Sequence, residues 1–191
     1  EPGTMTPANP LDGPNAQQLH RRLIAMYEDE LERQAENRND MAVDADFYDS
    51  IQWRQEDVDT LKDRGQVPLV YNVIAASVNW VLGTEKRGRT DYRVLSRRKD
   101  AAKPAQRKTE LLKYLSDVNQ TPFNRSRAFE DAVKVGVGWL EACVQDEDGG
   151  EPVQDRYESW RDMLWDSASK EKNLKDCRYV IRSKWLDLDV A

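Results

Sequence analysis

The apolar residues of this chain change their spacing once, near Trp139. Before that point they recur every three or four residues, as on the buried side of an α-helix. After it they alternate, as in a β-strand with one buried face. The sequence therefore predicts an α+β fold, in which a helix-rich N-terminal half is followed by a small antiparallel sheet.

The helical region is predicted to contain five helices, with a loop over residues 39–50. Asn72 is placed as the N-cap of the third helix, and Gly65 and Gly83 as residues that end the second and third. Thr121 and Pro122 are expected to start the fifth helix, as N-cap and first helical residue. The predicted helices cover residues 16–38, 55–63, 73–82, 105–118 and 122–136.

Strands are predicted where the alternation is clear. Residues 91–97 are expected to form an isolated short strand, and residues 139–185 a single antiparallel sheet of three strands. The first two strands form a hairpin around the sequence DEDGG (146–150), and the third is CRYVIRSKW (177–185). Aromatic residues most often pack a sheet at strand positions. Trp139, Trp160 and Trp185 are therefore expected in the core or in a contact with another subunit.

The predicted domain organisation is simple. Four prolines within the first 14 residues indicate a flexible arm over residues 1–15, and residues 16–191 are expected to fold as one domain. Cys143 and Cys177 are expected to be buried and reduced, because they lack the spacing of a metal or redox motif. No apolar run approaches the length of about 20 residues that a membrane-spanning helix needs.

Candidate catalytic groups are sparse. His20 is the only histidine and lies among polar neighbours, so a nucleophile activated by histidine is not expected. Asp44, Asp46 and Asp49 lack the glycine and the distal glutamate of a Ca²⁺-binding loop. No lysine has an acidic residue two positions before it, a spacing typical of nucleases. We therefore predict no enzyme activity, no metal and no cofactor.

Charge is divided between two opposed blocks. Residues 84–108 contain ten basic and three acidic residues, whereas residues 28–63 contain four basic and thirteen acidic ones. We call residues 86–108 the basic segment and residues 28–63 the acidic block. The whole chain has a net charge of −6, which is unusual for a free-standing DNA-binding protein.

Several ordered segments resemble the N-terminal part of portal proteins from short-tailed, double-stranded DNA bacteriophages. The first is PLVYNVIAASVNWVLGTEKRGRTDYRVLSRR, in which a helix led by Asn72 is followed by Gly83, a basic turn and DYRVL. KTELLKYLSDVNQ and SRAFEDAVKVGVGWLE follow in the family's order. The last is SWRDMLWDSASKEKNLKDCRYVIRSKWLD, with a Trp-Asp-Ser segment and the residues Asp176, Arg178 and Tyr179. The resemblance covers roughly residues 45–189.

The resemblance implies a structural role. Residues 16–191 would be the wing-like domain of a longer portal subunit, a component of a dodecameric ring at one capsid vertex through which double-stranded DNA is packaged and ejected. The implied partners are other portal subunits, the passing DNA, and a terminase and head–tail adaptor bound through regions that this chain lacks. The implied location is the virion, after synthesis in the cytoplasm of the host bacterium, with no membrane involved.

The role of the basic segment stays open at the level of sequence. Three roles are open. The segment contacts the acidic block of a neighbouring subunit, or it pairs within its own chain or stays solvated, or it binds DNA. Two alternative functions are open. The first is a nucleic-acid-binding module built on residues 86–108, and the second is a metal-dependent hydrolase that uses the acids at 44–49. The candidate residues for contact with a subunit or with DNA are Lys86, Arg87, Arg89, Arg97, Arg98 and Lys99.

Overall fold

The computed structural model describes residue 13 and residues 15–88, 91–98, 102–145, 151–185 and 187. Within this part of the chain, six helices precede four short strands. The helices are α1 (Ala16–Arg33), α2 (Ala35–Tyr48), α3 (Gln55–Asp63), α4 (Val73–Arg87), α5 (Ala102–Val118) and α6 (Thr121–Val135). The strands are β1 (Trp139–Val144), β2 (Val153–Glu158), β3 (Met163–Trp165) and β4 (Val180–Arg182), and a short 3₁₀ helix (Trp160–Asp162) precedes β3. The predicted fold class is confirmed.

The described strands form two antiparallel pairs. Strand β1 pairs with β2 from Trp139 opposite Glu158 to Val144 opposite Val153, as the hairpin prediction required. Strand β3 pairs with β4 in a separate sheet, so the prediction of one sheet over 139–185 is wrong. The third predicted strand is shortened because two backbone amides bond elsewhere: Cys177 N–H donates to Leu174 O, and Arg178 N–H donates to the Asp166 carboxylate. The predicted DEDGG turn lies outside the described residues.

The chain divides into two compact units. Residues 1–38 and 162–191 form the first, which we call the terminal unit. Residues 39–161 form the second, the central unit, which contains α3 to α6 and the β1–β2 hairpin. Most of the predicted arm, residues 1–12 and 14, lies outside the described residues, and the single domain over 16–191 stays a prediction.

Residues 39–50 were predicted as a loop, but most of them belong to helix α2. Met41 and Ala45 lie one helical turn apart and are buried in a cluster with Val135 and Trp160. Burial of this apolar pair offsets the low helix propensity of the three aspartates in α2. The first predicted helix accordingly ends early, at Arg33.

The start of α4 was predicted correctly and its end was not. The Asn72 side chain accepts a hydrogen bond from Ala75 N–H at 2.9 Å, which confirms it as the N-cap. The same side chain donates to Tyr48 O at 2.8 Å, so it also satisfies the end of α2. Gly83 lies inside α4, which continues to Arg87 and is followed by Gly88.

Two further predictions fail in the central unit. Residues 91–97 make no strand; instead Val94 N–H donates to the Thr109 hydroxyl of α5 at 2.9 Å. Thr121 is the first residue of α6 and not its N-cap, because Gln120 occupies that position in a left-handed conformation. The Thr121 hydroxyl donates to Asp155 of β2 at 2.9 Å, which ties α6 to the hairpin.

The tryptophans differ in their environments. Trp160 is buried in the cluster of the central unit, and Trp139 packs against that cluster from β1. Trp185 is fully exposed, so the prediction that it packs the core of its own chain is wrong, whereas the predicted contact with another subunit stays a prediction. Cys143 and Cys177 are both free and only partly buried.

Gly138 allows β1 to start directly against helix α6. A Cβ atom at this position would lie 1.8 Å from Ala128 O and 2.7 Å from Ala128 C, both backbone atoms that cannot move aside. Gly136, the C-cap of α6, has a φ of 87°, which a residue without Cβ adopts readily. The two glycines thus form a tight helix-to-strand turn.

We predict that Gly138→Ala lowers the free energy of unfolding by about 2–3 kcal/mol, because β1 must shift away from α6. Gly83→Ala is the matched control. A Cβ at Gly83 meets no atom within 4 Å, so this change should raise stability by about 0.5–1 kcal/mol through helix propensity. Urea unfolding followed by circular dichroism measures both, and equal effects of the two changes would contradict the close approach.

We predict that Trp160→Ala lowers the free energy of unfolding by about 3–5 kcal/mol, because the ring fills the core of the central unit. Trp80→Ala, at an exposed position of the same unit, should change stability by no more than about 0.5 kcal/mol. The same unfolding measurement applies. A small effect of Trp160→Ala would show that the core lies elsewhere.

Candidate functional site

The basic segment begins in the last turn of α4. Lys86 and Arg87 are exposed there, close to the backbone carbonyls that end the helix. Positive side chains are stabilised at this end by the helix dipole. Arg89 and Lys99, also among the predicted contact residues, lie outside the described residues.

The next part of the basic segment is fixed along α5. Asp91 forms an ion pair with Lys113, in which the oxygen and nitrogen lie 2.5 Å apart. Arg125 donates a hydrogen bond to the Tyr92 hydroxyl at 3.1 Å. The hydrogen bond from Lys113 holds the pKa of Asp91 below its usual range. These contacts anchor one end of residues 91–98, and Arg97 and Arg98 lie exposed at the other end.

A groove of about 780 Å³ runs between residues 91–96 and α5. Its lining includes charges of both signs, namely Asp91, Arg93, Glu110 and Lys113. A phosphate backbone is attracted by clustered positive charge, and the acids in this lining oppose it. The groove therefore does not favour DNA over a protein partner.

The two charge blocks are displayed to solvent. The eight described basic residues of 84–108 are all exposed, and so are twelve of the thirteen acidic residues of the acidic block. Glu30 is the exception. The structure thus leaves both blocks available for contact with another molecule.

The acids proposed for metal binding do not converge. Asp44 and Asp46 are two residues apart on α2, and residues at this spacing do not share a helix face. Within the described ranges, no group of three or more His, Cys, Asp or Glu side chains is arranged to hold a metal ion. His20 is exposed on α1.

The most buried polar group of the terminal unit is Glu30, which the sequence did not single out. Its carboxylate accepts hydrogen bonds from the Ser167 hydroxyl at 2.7 Å and from Ser167 N–H at 3.2 Å. Gln34 Nε2 contributes a bond of 3.3 Å to Glu30 and one of 2.5 Å to Trp165 O. Burial alone would raise the pKa of Glu30, but the bonds from Ser167 and Gln34, with the charge of Arg33, lower it overall.

A second buried carboxylate, Asp166, lies next to Ser167. The Arg178 guanidinium donates to it twice, through Nε at 2.5 Å and Nη2 at 2.9 Å. This bidentate pair, together with N–H bonds from Ala168 and Arg178, holds the pKa of Asp166 far below its usual range. Asp176 closes the intervening loop by accepting from Ser169 Oγ at 2.6 Å and Lys170 N–H at 2.7 Å.

Most of the last segment that carried the resemblance lies here. Its Trp-Asp-Ser run supplies Trp165, Asp166 and Ser167, and its later part supplies Asp176 and Arg178. Glu30 and Gln34 were missed because α1 is charged over most of its surface, and nothing in the sequence separates one buried glutamate from its exposed neighbours. These hydrogen bonds join α1 to the loop after β3. We call the network of Glu30, Gln34, Asp166, Ser167 and Arg178 the buried latch.

Comparison with known proteins gives one family. The model of the phage P22-like portal protein family matches residues 24–191, well over half of the chain. The chain therefore belongs to the phage P22-like portal protein family, as the resemblance indicated. It is thus a viral, structural protein of a class that assembles into oligomeric rings.

No curated protein matches the chain. In the part of the chain that the structure describes, no helix is long and apolar enough to cross a membrane.

We predict that the Asp166–Arg178 pair makes stability sensitive to acid. Since the folded-state pKa of Asp166 is lowered, its contribution is complete above the unfolded-state value of about 4 and is lost progressively as the pH falls further. Asp166→Asn should lower stability at neutral pH and reduce the further loss on acidification. Urea unfolding at neutral pH and at about pH 3 measures this difference.

Asp29→Asn, at an exposed position of α1, is the matched control and should leave the acid sensitivity unchanged. If Asp166→Asn retains the full acid sensitivity of the unaltered chain, the pair is not responsible for it.

Proposed function

We propose that the chain is a structural part of a portal ring at one capsid vertex, through which double-stranded DNA is packaged and ejected. The observation that carries this proposal is the family match over residues 24–191. Within the ring, residues 16–191 serve as a wing-like domain of the portal subunit and perform no catalysis.

Terminase and a head–tail adaptor are the further partners that we propose for the assembled ring, with the virion as its location. Double-stranded DNA passes through the ring without being held by it. The chain's net charge of −6 supports this, because an acidic surface does not retain a polyanion.

We propose that the basic segment contacts the acidic block of the next subunit. A ring is built from heterologous contacts, in which one face of each subunit meets a different face of its neighbour. Exposed blocks of opposite charge suit such a contact because they steer approach and fix the register of the subunits. Lys86, Arg87, Arg97 and Arg98 are exposed as this role requires, and Arg89 and Lys99 are included in the proposal.

The test uses the phage whose portal gene encodes the chain. Changing Arg97 and Arg98 together to Glu should prevent ring assembly, because two attractive contacts become repulsive. Acid-to-Lys changes in the acidic block, tried pairwise from Asp40 to Asp63, should restore it. Negative-stain electron microscopy of purified portal rings is the measurement.

Changing Arg21 and Arg22 together to Glu is the matched control, since this exposed pair on α1 is outside both blocks and should leave rings intact. If the Arg97 and Arg98 variant forms normal rings but fails to package DNA, the basic segment serves nucleic acid and the proposed subunit contact is wrong.

A further inference from the structure

Strand β3 has one edge that β4 does not cover. In an antiparallel pair, the backbone groups of every second residue point towards the partner strand, and those of the residues between them point away. Asp166 N–H donates to Tyr179 O at 3.2 Å and continues the register of β3 with β4. The backbone carbonyls of Met163 and Trp165 therefore lie on the opposite edge.

Two polar side chains from the helices cover this edge. Gln34 Nε2 donates to Trp165 O at 2.5 Å, and Arg38 Nη1 donates to Met163 O at 3.2 Å. Such long polar side chains are mostly exposed in proteins, but Gln34 is buried and Arg38 is half-buried. Both contacts lie inside the terminal unit. The carbonyls that a further strand would use thus accept hydrogen bonds from side chains.

The spacing of residues along the helix matches the spacing along the strand. Gln34 N–H donates to Glu30 O and Arg38 N–H donates to Gln34 O, so helical bonding continues across the junction of α1 and α2. These three residues lie on one helix face, with a rise of about 6 Å from each to the next. Two residues of a strand advance by about 6.6 Å. The three side chains accordingly bond every second residue from the loop back along β3, namely Ser167, Trp165 and Met163.

Strand β3 needs a cover more than the other strands do. An open edge presents unpaired N–H and C=O groups to any other strand, and proteins often prevent such pairing with charged residues in the edge strand itself. Of the four strands in the described part of the chain, β3 alone, with the sequence Met-Leu-Trp, has no charged residue. A family that assembles into rings also holds many copies close together.

We propose that Gln34 and Arg38 form an edge cover, which keeps β3 of one copy of this chain from pairing with β3 of another. The second copy is the relevant partner because an antiparallel strand can pair with itself about a two-fold axis. Such a contact is isologous and would draw subunits into dimers, in place of the heterologous contacts that close a ring. The proposal rests on the fold of the terminal unit and on family membership, whichever surfaces join the subunits.

The test removes both covering side chains from the purified chain. Gln34→Ala and Arg38→Ala together should make self-association at least about tenfold tighter than in the unaltered chain, as measured by sedimentation velocity over a concentration series. Gln17→Ala with Arg21→Ala is the matched control, because it removes the same two residue types at the same spacing from exposed positions of α1. This control should associate like the unaltered chain.

Hydrogen exchange followed by mass spectrometry locates the contact. In the associated double variant, the segment that contains β3 should exchange more slowly than in the same variant diluted to a monomer. The circular dichroism of the double variant should remain that of the folded chain. Ser167→Ala is a second control, because it removes one hydrogen bond from Glu30 but leaves the edge of β3 covered. It should associate like the unaltered chain.

Four results would overturn the proposal: a double variant that associates normally, one that no longer folds, slowed exchange at a segment other than β3, or equal association of the Ser167→Ala variant. The second would make the two side chains a requirement for folding. The last would show that any weakening of the terminal unit promotes association. None of these results changes the proposed subunit contact, which the variant at Arg97 and Arg98 tests separately.

Discussion

A carboxylate that folding removes from water must receive hydrogen bonds in return, and Glu30 imposes this requirement on the terminal unit. Its donors come from Ser167, far away in sequence, and from Gln34 on the next turn of the chain. Arg178 donates hydrogen bonds to the neighbouring buried carboxylate, that of Asp166. This pair also fixes the loop that carries Ser167. These hydrogen bonds specify how α1 packs, because α1 itself offers little apolar surface to bury.

The central unit shows the opposite imbalance. Its buried cluster is small, with Met41, Ala45, Val135 and Trp160 at its centre, while larger apolar side chains such as Tyr71 and Trp80 remain outside. Because these large apolar side chains stay in water, the unassembled domain does not gain the hydrophobic stabilisation that their burial would give. Membership of a ring-forming family offers a physical reason, because subunits of a ring have surfaces that face their neighbours.

The sequence was sufficient for the parts of the fold that depend on local chemistry. The Asn72 N-cap, the helix over 55–63 and the β1–β2 hairpin follow from capping residues and apolar periodicity. Prediction from the sequence failed where contacts between residues far apart in the chain determine the structure. Residues 39–48 are helical because Met41 and Ala45 are buried in one cluster with Trp160. Leu111 faces solvent, although its apolar spacing is typical of the buried face of a helix.

The candidate site was predicted unevenly for the same reason. The basic segment could be found by counting charges, and the structure leaves its described basic residues exposed. The buried latch could not be found in this way, because the role of Glu30 depends on Ser167, 137 residues later. The resemblance had marked Asp166, Ser167 and Arg178 as parts of segments, without indicating that they form one network.

The central claim, that this chain is a subunit of a portal ring, is tested most directly by locating it in the virus particle. The phage that encodes the chain would carry an epitope tag on it, and antibody-labelled particles would be examined by electron microscopy. The account predicts label at a single vertex of each capsid. Label absent from the particles, or spread over all vertices, would contradict it.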